Sequence, residues 1–127
     1  MKKAIATDAA PAAIGPYSQA IRAGDYLFIS GQLGIDPSTK KLVEGGIGEQ
    51  TARVLENIAA ILAAAGATAA AVVKTTVLLQ SMDDFAKLNE VYGRFFSESA
   101  PARATYQVAR LPLGALVEIE AIAYLGR

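Results

Sequence analysis

The 127-residue sequence contains no cysteine and no histidine. Without cysteine there is no disulfide framework, no thiol nucleophile and no thiolate metal site. Without histidine the chain lacks both the commonest metal ligand and the commonest general base. Serine–histidine catalysis and histidine-based zinc hydrolysis are therefore excluded. Any chemistry has to come from carboxylates, arginine, lysine, tyrosine, hydroxyl groups, backbone groups and water.

The sequence also lacks an excess of either charge, since twelve Lys and Arg balance twelve Asp and Glu. This balance gives no bulk attraction to nucleic acid or to an anionic membrane. The longest apolar stretch, residues 58–73, is rich in alanine, contains Gly66 and is too short to span a bilayer. Thr7 and Asp8 interrupt the basic N-terminus before any apolar segment of signal-peptide length. We expect a single domain in a soluble, cytoplasmic protein.

Hydrophobic periodicity predicts the element order β-β-α-β-α-β-β. Gly66 is a natural stop for the first helix, and Ser81 with Asp84 forms a capping box that opens the second. The expected fold is an α+β domain in which one mixed sheet carries both helices on one face. The predicted elements are a hairpin at 17–33, helices at 49–65 and from 81 to about 98, and strands at 71–80, about 103–110 and about 116–125, the last two joined by a short turn.

Alternation along the last strand separates an apolar face from a mixed one. Val117 and every second residue after it share the apolar face, whereas Glu118, Glu120, Ile122 and Tyr124 share the other. A face wholly exposed to water should not carry Ile122 and Tyr124, and the core of a monomer should not carry two glutamates. A partly polar interface between copies of the chain fits both observations, so we expect a homo-oligomer.

Three charged residues lie within the otherwise apolar, strand-forming sequence of residues 101–126, and each has two interpretations. Arg103 either pairs with a carboxylate at the surface or an interface, or clamps a substrate carboxylate with its planar guanidinium group. Glu118 and Glu120 either form interface ion pairs, or one of them orients or deprotonates a water molecule in the absence of histidine. The residues alone predict a polar face that carries the arginine and the glutamates.

Four further residues have both a structural and a binding interpretation. Asn89 lies at the edge of the apolar arc of the second helix, where it either caps a loop or binds a ligand at the rim of a site. Tyr17 either donates a hydrogen bond to a ligand or packs in the core. Ser30 and Gly31 combine a small hydroxyl with a residue that permits close backbone approach, which suits a ligand or a β-bulge.

Six segments, in order from residue 14 to residue 123, resemble the RidA/YjgF family of enamine and imine deaminases. The resemblance covers nearly the whole chain, and the six segments are specific as a set. It implies a chorismate-mutase-like α+β fold, assembled as a homotrimer with ligand clefts between subunits. The segments are IGPYSQA at 14–20, ISGQL at 29–33, VKTTVLL at 73–79, FAKLNEVYGRFF at 85–96, PARATYQVARLP at 101–112 and VEIEAIA at 117–123.

The resemblance implies hydrolysis of reactive 2-imino acids, such as 2-iminopropanoate and 2-iminobutanoate, to 2-oxo acids and ammonia without a cofactor or metal. In this family pattern Arg103 matches the arginine that binds the substrate carboxylate. Glu118 matches the glutamate that holds the hydrolytic water. Glu120 matches no catalytic position and is assigned to structure or to the interface.

Positions that line the family's cleft match Tyr17, Ser30, Gly31 and Asn89. Thr105 stands where many members of the family carry cysteine. Because the cleft chiefly uses the backbone carbonyl of that residue, we expect the activity to survive the replacement and any regulation through the sulfur to be lost.

Other functions remain open at this point. The same cleft could bind 2-oxo acids or related metabolites without turnover, or it could be idle in a structural trimer. RNA cleavage or translation inhibition, which is attributed to some relatives, is a further alternative. A net charge of zero argues against it, because phosphate contacts usually need clustered cations.

Overall fold

The computed structural model describes residues 1–126 and contains a six-stranded sheet, a two-stranded sheet and two α-helices. The predicted α+β class, with one mixed sheet and two helices, is confirmed. The strands are β1 (Lys2–Ile5), β2 (Ala20–Ala23), β3 (Tyr26–Gln32), β4 (Ile35–Asp36), β5 (Lys41–Leu42), β6 (Val72–Leu79), β7 (Ala102–Gln107) and β8 (Val117–Tyr124), and the helices are α1 (Ile47–Ala64) and α2 (Phe85–Phe95).

The core lies between the main sheet and the two helices. Helix α1 packs against β3 and β8 and against α2. Leu27, Ile58, Ile61 and Ile119 are fully buried there, and each such side chain stabilises the fold by about 1.5–3 kcal/mol. No helix within residues 1–126 is long and apolar enough to cross a membrane.

The strand order β1-β2-β3-β8-β6-β7 differs from the predicted closing hairpin. Strands β7 and β8 are not neighbours: β8 lies antiparallel between β3 and β6, whereas β7 pairs with β6 in parallel at the edge of the sheet. The burial of the two strands explains this arrangement. Every second residue of β8 is buried, as a central strand requires, whereas no residue of β7 is fully buried.

The N-terminal strand β1 was not predicted, because three of its four residues are exposed and two of them are lysines. Lysine on an edge strand opposes pairing with another chain. Strict alternation along β6 predicts that Val73 shares a face with Thr75, Val77 and Leu79, but the β-bulge between Val72 and Lys74 breaks this alternation. Val72 is 4% exposed and Val73 is 44% exposed, so Val72, rather than Val73, joins the buried face.

The helix starts differ from the predicted ones by a few residues. Helix α1 begins at Ile47, two residues early, because the Glu49 carboxylate accepts a hydrogen bond of 2.9 Å from the Gly46 amide. Ser81 does act as a cap, but it accepts from the Asp83 amide at 3.1 Å and starts a 3₁₀ turn. Asp84 makes no side-chain capping bond, and α2 follows this turn.

Candidate functional site

Arg103 lies on edge strand β7 and turns toward helix α2. Its guanidinium carbon is 4.8 Å from the ring centroid of Tyr92 and 5.5 Å from that of Phe85, within cation–π range. The Tyr92 hydroxyl is fixed in turn by a buried hydrogen bond of 2.6 Å with Thr75 Oγ1. Burial raises the pKa of Tyr92, although this hydrogen bond and the charge of Arg103 act in the opposite direction. The phenol therefore stays neutral at physiological pH and provides a fixed ring for the guanidinium.

Arg103 is half-buried and has no carboxylate partner within residues 1–126. A half-buried guanidinium without a countercharge can bind a planar anion through two parallel hydrogen bonds. Each ion pair found in this part of the chain joins two residues about one turn apart in the same helix. The pairs are Arg53 with Glu56 in α1, and Lys87 with Glu90 and Arg94 with Glu90 in α2.

Asn89 and Thr105 lie on the same two elements as the groups around Arg103. Asn89 follows Phe85 by four residues and precedes Tyr92 by three, so it lies on the same stripe of α2. Thr105 shares the face of Arg103 on β7, and its Oγ1 is buried without a hydrogen-bond partner among the described residues. The helical spacing of the sequence places Phe85 and Tyr92 in the apolar arc of this helix, which predicts core packing for both. Their contact with Arg103 was missed, and their common stripe with Asn89 was the only sequence signal for it.

Glu118 lies on β8 opposite Leu78 and against Gly31. A Cβ atom on Gly31 would overlap Glu118 Oε2 and stand 2.9 Å from its Cδ, so only glycine leaves room for the carboxylate in this position. Burial, and secondarily the charge of Glu120, raise the pKa of Glu118 above the ordinary glutamate value. A raised pKa makes this carboxylate a stronger proton acceptor.

Ser30 lies within the bulged part of β3, where the pairing with β8 shifts between Ile29 and Gln32. This register shift agrees with the β-bulge, one of the two interpretations of Ser30 and Gly31, and it leaves the ligand interpretation open. The Ser30 hydroxyl donates to the carbonyl of Ser18 at 2.6 Å. Tyr17, two residues after Gly15, is 52% exposed, so the alternative of core packing for this residue is wrong.

The two charged groups lie on opposite faces of the sheet. Arg103 is in register with Thr75, and Glu118 is in register with Leu78, three positions further along β6. Positions three apart on a strand point to opposite faces. The predicted single polar face is therefore divided, with Arg103 and Thr105 on the helix side and the glutamates on the other. One chain places Arg103 over two rings of the α2 stripe that includes Asn89, and it places Glu118 against Gly31. It does not bring the two charged groups together.

The sheet face without helices, here called the open face, combines exposed aromatic residues with charge. Tyr26, Phe28 and Tyr124 cluster at one end of it, with ring centroids 5.3 and 6.5 Å apart. A hollow of about 220 Å³ beside them is bounded by Lys74 and Glu120, among others. Tyr106 is the most exposed aromatic residue of this face, at 57%. Within residues 1–126 no group of three Asp or Glu residues is placed to hold a metal ion.

Comparisons with known proteins agree along nearly the whole chain. Residues 7–125 match the family model described as endoribonuclease L-PSP. A RutC family protein of Pyrococcus horikoshii is 59% identical over 124 residues, covering 98% of each chain. The 2-iminobutanoate/2-iminopropanoate deaminase of Mus musculus is 55% identical over 126 residues, covering 99% of this chain and 93% of the mouse protein. The crystal structure of E. coli TdcF with bound serine has a TM-score of 0.94 at 42% identity, covering 98% of this chain and 99% of that one.

Proposed function

Because the chain belongs to the RidA/YjgF family, we propose that it hydrolyses reactive 2-imino acids to 2-oxo acids and ammonia. The observation that carries this proposal is the half-buried Arg103, held over two aromatic rings and without a carboxylate partner among residues 1–126. Its planar donor fork matches a carboxylate in geometry and charge. A 2-imino acid carries that carboxylate on the carbon atom next to the C=N bond. The mouse relative is named for 2-iminobutanoate and 2-iminopropanoate, which we take as the substrate class.

Two copies of the chain complete each site in this proposal. The substrate carboxylate is bonded directly to the imine carbon, so the arginine and the base have to approach the same small molecule. Arg103 and Glu118 of one chain are on opposite sheet faces and cannot do so. The exposed aromatic residues of the open face support association through that face. We therefore retain the homotrimer with clefts between subunits.

The first step of the mechanism is binding and orientation. Arg103 pairs with the substrate carboxylate through two hydrogen bonds, and the rings of Phe85 and Tyr92 hold the guanidinium plane. Asn89 offers an amide at the same place on α2. The imine carbon then faces Glu118 of a neighbouring copy, and this fixed orientation lowers the entropic part of the barrier.

The second step is hydrolysis. Glu118 accepts a proton from a water molecule as the new C–O bond forms and the C=N electron pair moves to nitrogen, which takes up that proton. In the resulting carbinolamine the same carboxylate moves the hydroxyl proton to nitrogen. The C–N bond breaks as the C=O bond forms, so one imine and one water give one 2-oxo acid and one ammonia. The balance needs no cofactor.

A coupled trapping assay tests the proposal. An amino-acid oxidase generates the imine, and semicarbazide traps the imine that the protein has not removed. Arg103→Ala should cost roughly 2–5 kcal/mol of transition-state stabilisation, or at least about thirty-fold in kcat/KM. Glu118→Gln should lose turnover as well. Arg94→Ala is the matched control for the lost arginine and should keep turnover. Glu120→Gln is the matched control for the lost carboxylate and should keep turnover at a pH above the acid limb of the pH–rate profile. Equal trapping with native and variant proteins would instead favour binding of 2-oxo acids without turnover.

Mixing two inactive variants tests the shared site. An oligomer that contains Arg103→Ala and Glu118→Gln chains can form a cleft in which the intact arginine and the intact glutamate come from different copies. Random mixing in a symmetric ring should restore about a quarter of the native activity. No recovery after the subunits have exchanged would contradict a cleft between copies.

RNA cleavage is the second candidate, because the matching family model is described as an endoribonuclease. The chain has no histidine to act as general base, and its charge is balanced. Incubation with end-labelled single-stranded RNA tests this alternative. Cleavage by native protein that persists in Arg103→Ala and Glu118→Gln would identify an activity separate from the proposed cleft.

A further inference from the structure

Gln19 is a buried amide, 4% exposed, that precedes β2 and binds the N-terminal segment with both ends of its side chain. Its Oε1 accepts a hydrogen bond of 2.7 Å from the Thr7 amide. Its Nε2 lies 2.7 Å from the carbonyl oxygen of Pro11, 3.0 Å from that of Thr7 and 3.3 Å from that of Ala10. One side chain therefore attaches residues 7–11 to the start of the sheet.

The segment that lies between this attachment and Gln19 itself, residues 12–17, is here called the Tyr17 loop. Few contacts of its own hold it: Ile14 is 86% exposed and Tyr17 is 52% exposed, and the Tyr17 hydroxyl accepts a long hydrogen bond of 3.4 Å from the Ile14 amide. Gly15 has φ of +119°, and its carbonyl accepts from the Tyr17 amide at 2.9 Å in a tight turn. The shape of the loop consequently depends on how its two ends are fixed.

Both ends are fixed at Gln19. The side chain holds the carbonyl of Pro11 at the first end. At the second end, the Ser30 amide donates to the backbone carbonyl of Gln19 at 2.9 Å, beside the bond from the Ser30 hydroxyl to Ser18. Gln19 thus closes the Tyr17 loop into a ring, which removes conformational freedom that a free loop would have.

Gly31, the residue after Ser30, lies against Glu118, so the second end of the Tyr17 loop is beside the proposed base. We propose that Gln19 is a positioning residue for the reaction, because it fixes the Tyr17 loop at this place so that the Tyr17 hydroxyl reaches the imino acid in the cleft. The inference rests on the proposed function. The role requires both a donor and an acceptor in one buried side chain, which glutamine supplies. Gln19 acts through Tyr17 and does not itself touch the substrate.

A double-mutant cycle in the trapping assay tests this role. Gln19→Met keeps the length of the side chain and removes its polar atoms, and Tyr17→Phe removes only the hydroxyl. Each single variant should lower kcat/KM by about tenfold or more. The double variant should be no worse than Tyr17→Phe alone, because the Gln19 side chain bonds to residues 7–11 and affects the cleft only through the loop, whereas its backbone bond to Ser30 is kept in Gln19→Met. Losses that multiply in the double variant would overturn the proposal, as would native kcat/KM in Gln19→Met.

Asn57→Leu is the matched control for the loss of a buried amide. Asn57 is fully buried and donates 3.0 Å hydrogen bonds to the carbonyls of Leu33 and Ile35, outside the Tyr17 loop. The Asn57→Leu variant should have a lower Tm than the native protein and the same kcat/KM. If Gln19→Met does not fold, Gln19→Glu keeps the acceptor for Thr7, loses the amide donor, and should show the same dependence on Tyr17.

Hydrogen exchange of residues 12–17 separates this inference from the proposed function. Exchange there should be faster in Gln19→Met than in the native protein, with little change in the core. If the native protein removes no imine, the proposed function is wrong. The exchange rates of residues 12–17 then show by themselves whether Gln19 anchors the Tyr17 loop. Unchanged exchange at residues 12–17 overturns the anchoring, and faster exchange supports it.

Discussion

Replacing Gly31 with alanine should disable Glu118 while leaving the fold in place. The added Cβ would overlap Glu118 Oε2 and stand 2.9 Å from Cδ and 3.1 Å from Cγ. All three atoms belong to a half-buried side chain that can rotate away. Overpacking in a rigid core costs about 1–3 kcal/mol, and the freedom of Glu118 should keep the loss of stability at the low end of that range.

The larger effect should fall on turnover. The carboxylate has to move by about 1 Å to clear the new methyl group, and a displacement of this size costs roughly a hundred-fold in rate, or about 2.7 kcal/mol of barrier. We expect kcat/KM in the trapping assay to fall by about that factor while Tm changes little. In the Glu118→Gln background the same substitution should have no further effect on turnover, because its only target is already gone.

Gly34→Ala is the matched comparison. Its Cβ would stand 2.9 Å from the backbone oxygen of Gln50 and 3.0 Å from the Cα of that residue, in the first turn of α1. A helix backbone cannot rotate away, so we expect this variant to lose stability, by about 1–3 kcal/mol. Native kcat/KM in folded Gly31→Ala would refute the reasoning, because it would show that the observed position of Glu118 has no part in the reaction.

Three further predictions concern neighbours of the two proposed groups. Burial, and secondarily Glu120, raise the pKa of Glu118, so Glu120→Gln should shift the acid limb of the pH–rate profile to lower pH; an unmoved limb would mean that burial alone sets it. Tyr92→Phe leaves the buried Thr75 hydroxyl without its partner. Denaturant titration should therefore show a loss of roughly 1–3 kcal/mol in the free energy of unfolding, with kcat/KM near native because the ring remains; a large loss of turnover would contradict this division of roles. Arg103→Lys keeps the charge without the planar fork, so KM for the imino acid should rise by about tenfold or more, and an unchanged KM would exclude two-point binding.

The faces of the central strands could be predicted from the sequence because side chains alternate with a period of two. Val117, Ile119, Ala121 and Ala123 are all buried on the predicted face of β8. The same reasoning fails where a bulge inserts a residue, as at Val72. Helix α1 was likewise predictable because the spacing of its buried residues is set by the helical turn.

Strand neighbours could not be predicted, because pairing joins residues that are distant in sequence. Nothing near Arg103 indicates that β7 pairs in parallel with β6 rather than with β8. Alternation shows which residues of β7 share a face with Arg103. Without the register between β7 and β6, it does not show whether that face is turned toward the helices. The contact of Arg103 with Tyr92 and the separation from Glu118 both follow from this single pairing. The roles of the site residues themselves came from the family resemblance and stay predictions.

The division of the two charged groups also bears on how the open face would function. Glu118 is already half-buried in one chain, and its pKa is already raised. A second copy that covered the open face would remove more water from this carboxylate and raise its pKa further, toward the working pH of a general base. Phe28 and Tyr124, exposed in the single chain, would supply apolar contact for that association. In the proposed assembly the same surface would hold the subunits together and prepare the base, so a variant that prevents association would lose turnover even with Arg103 and Glu118 intact.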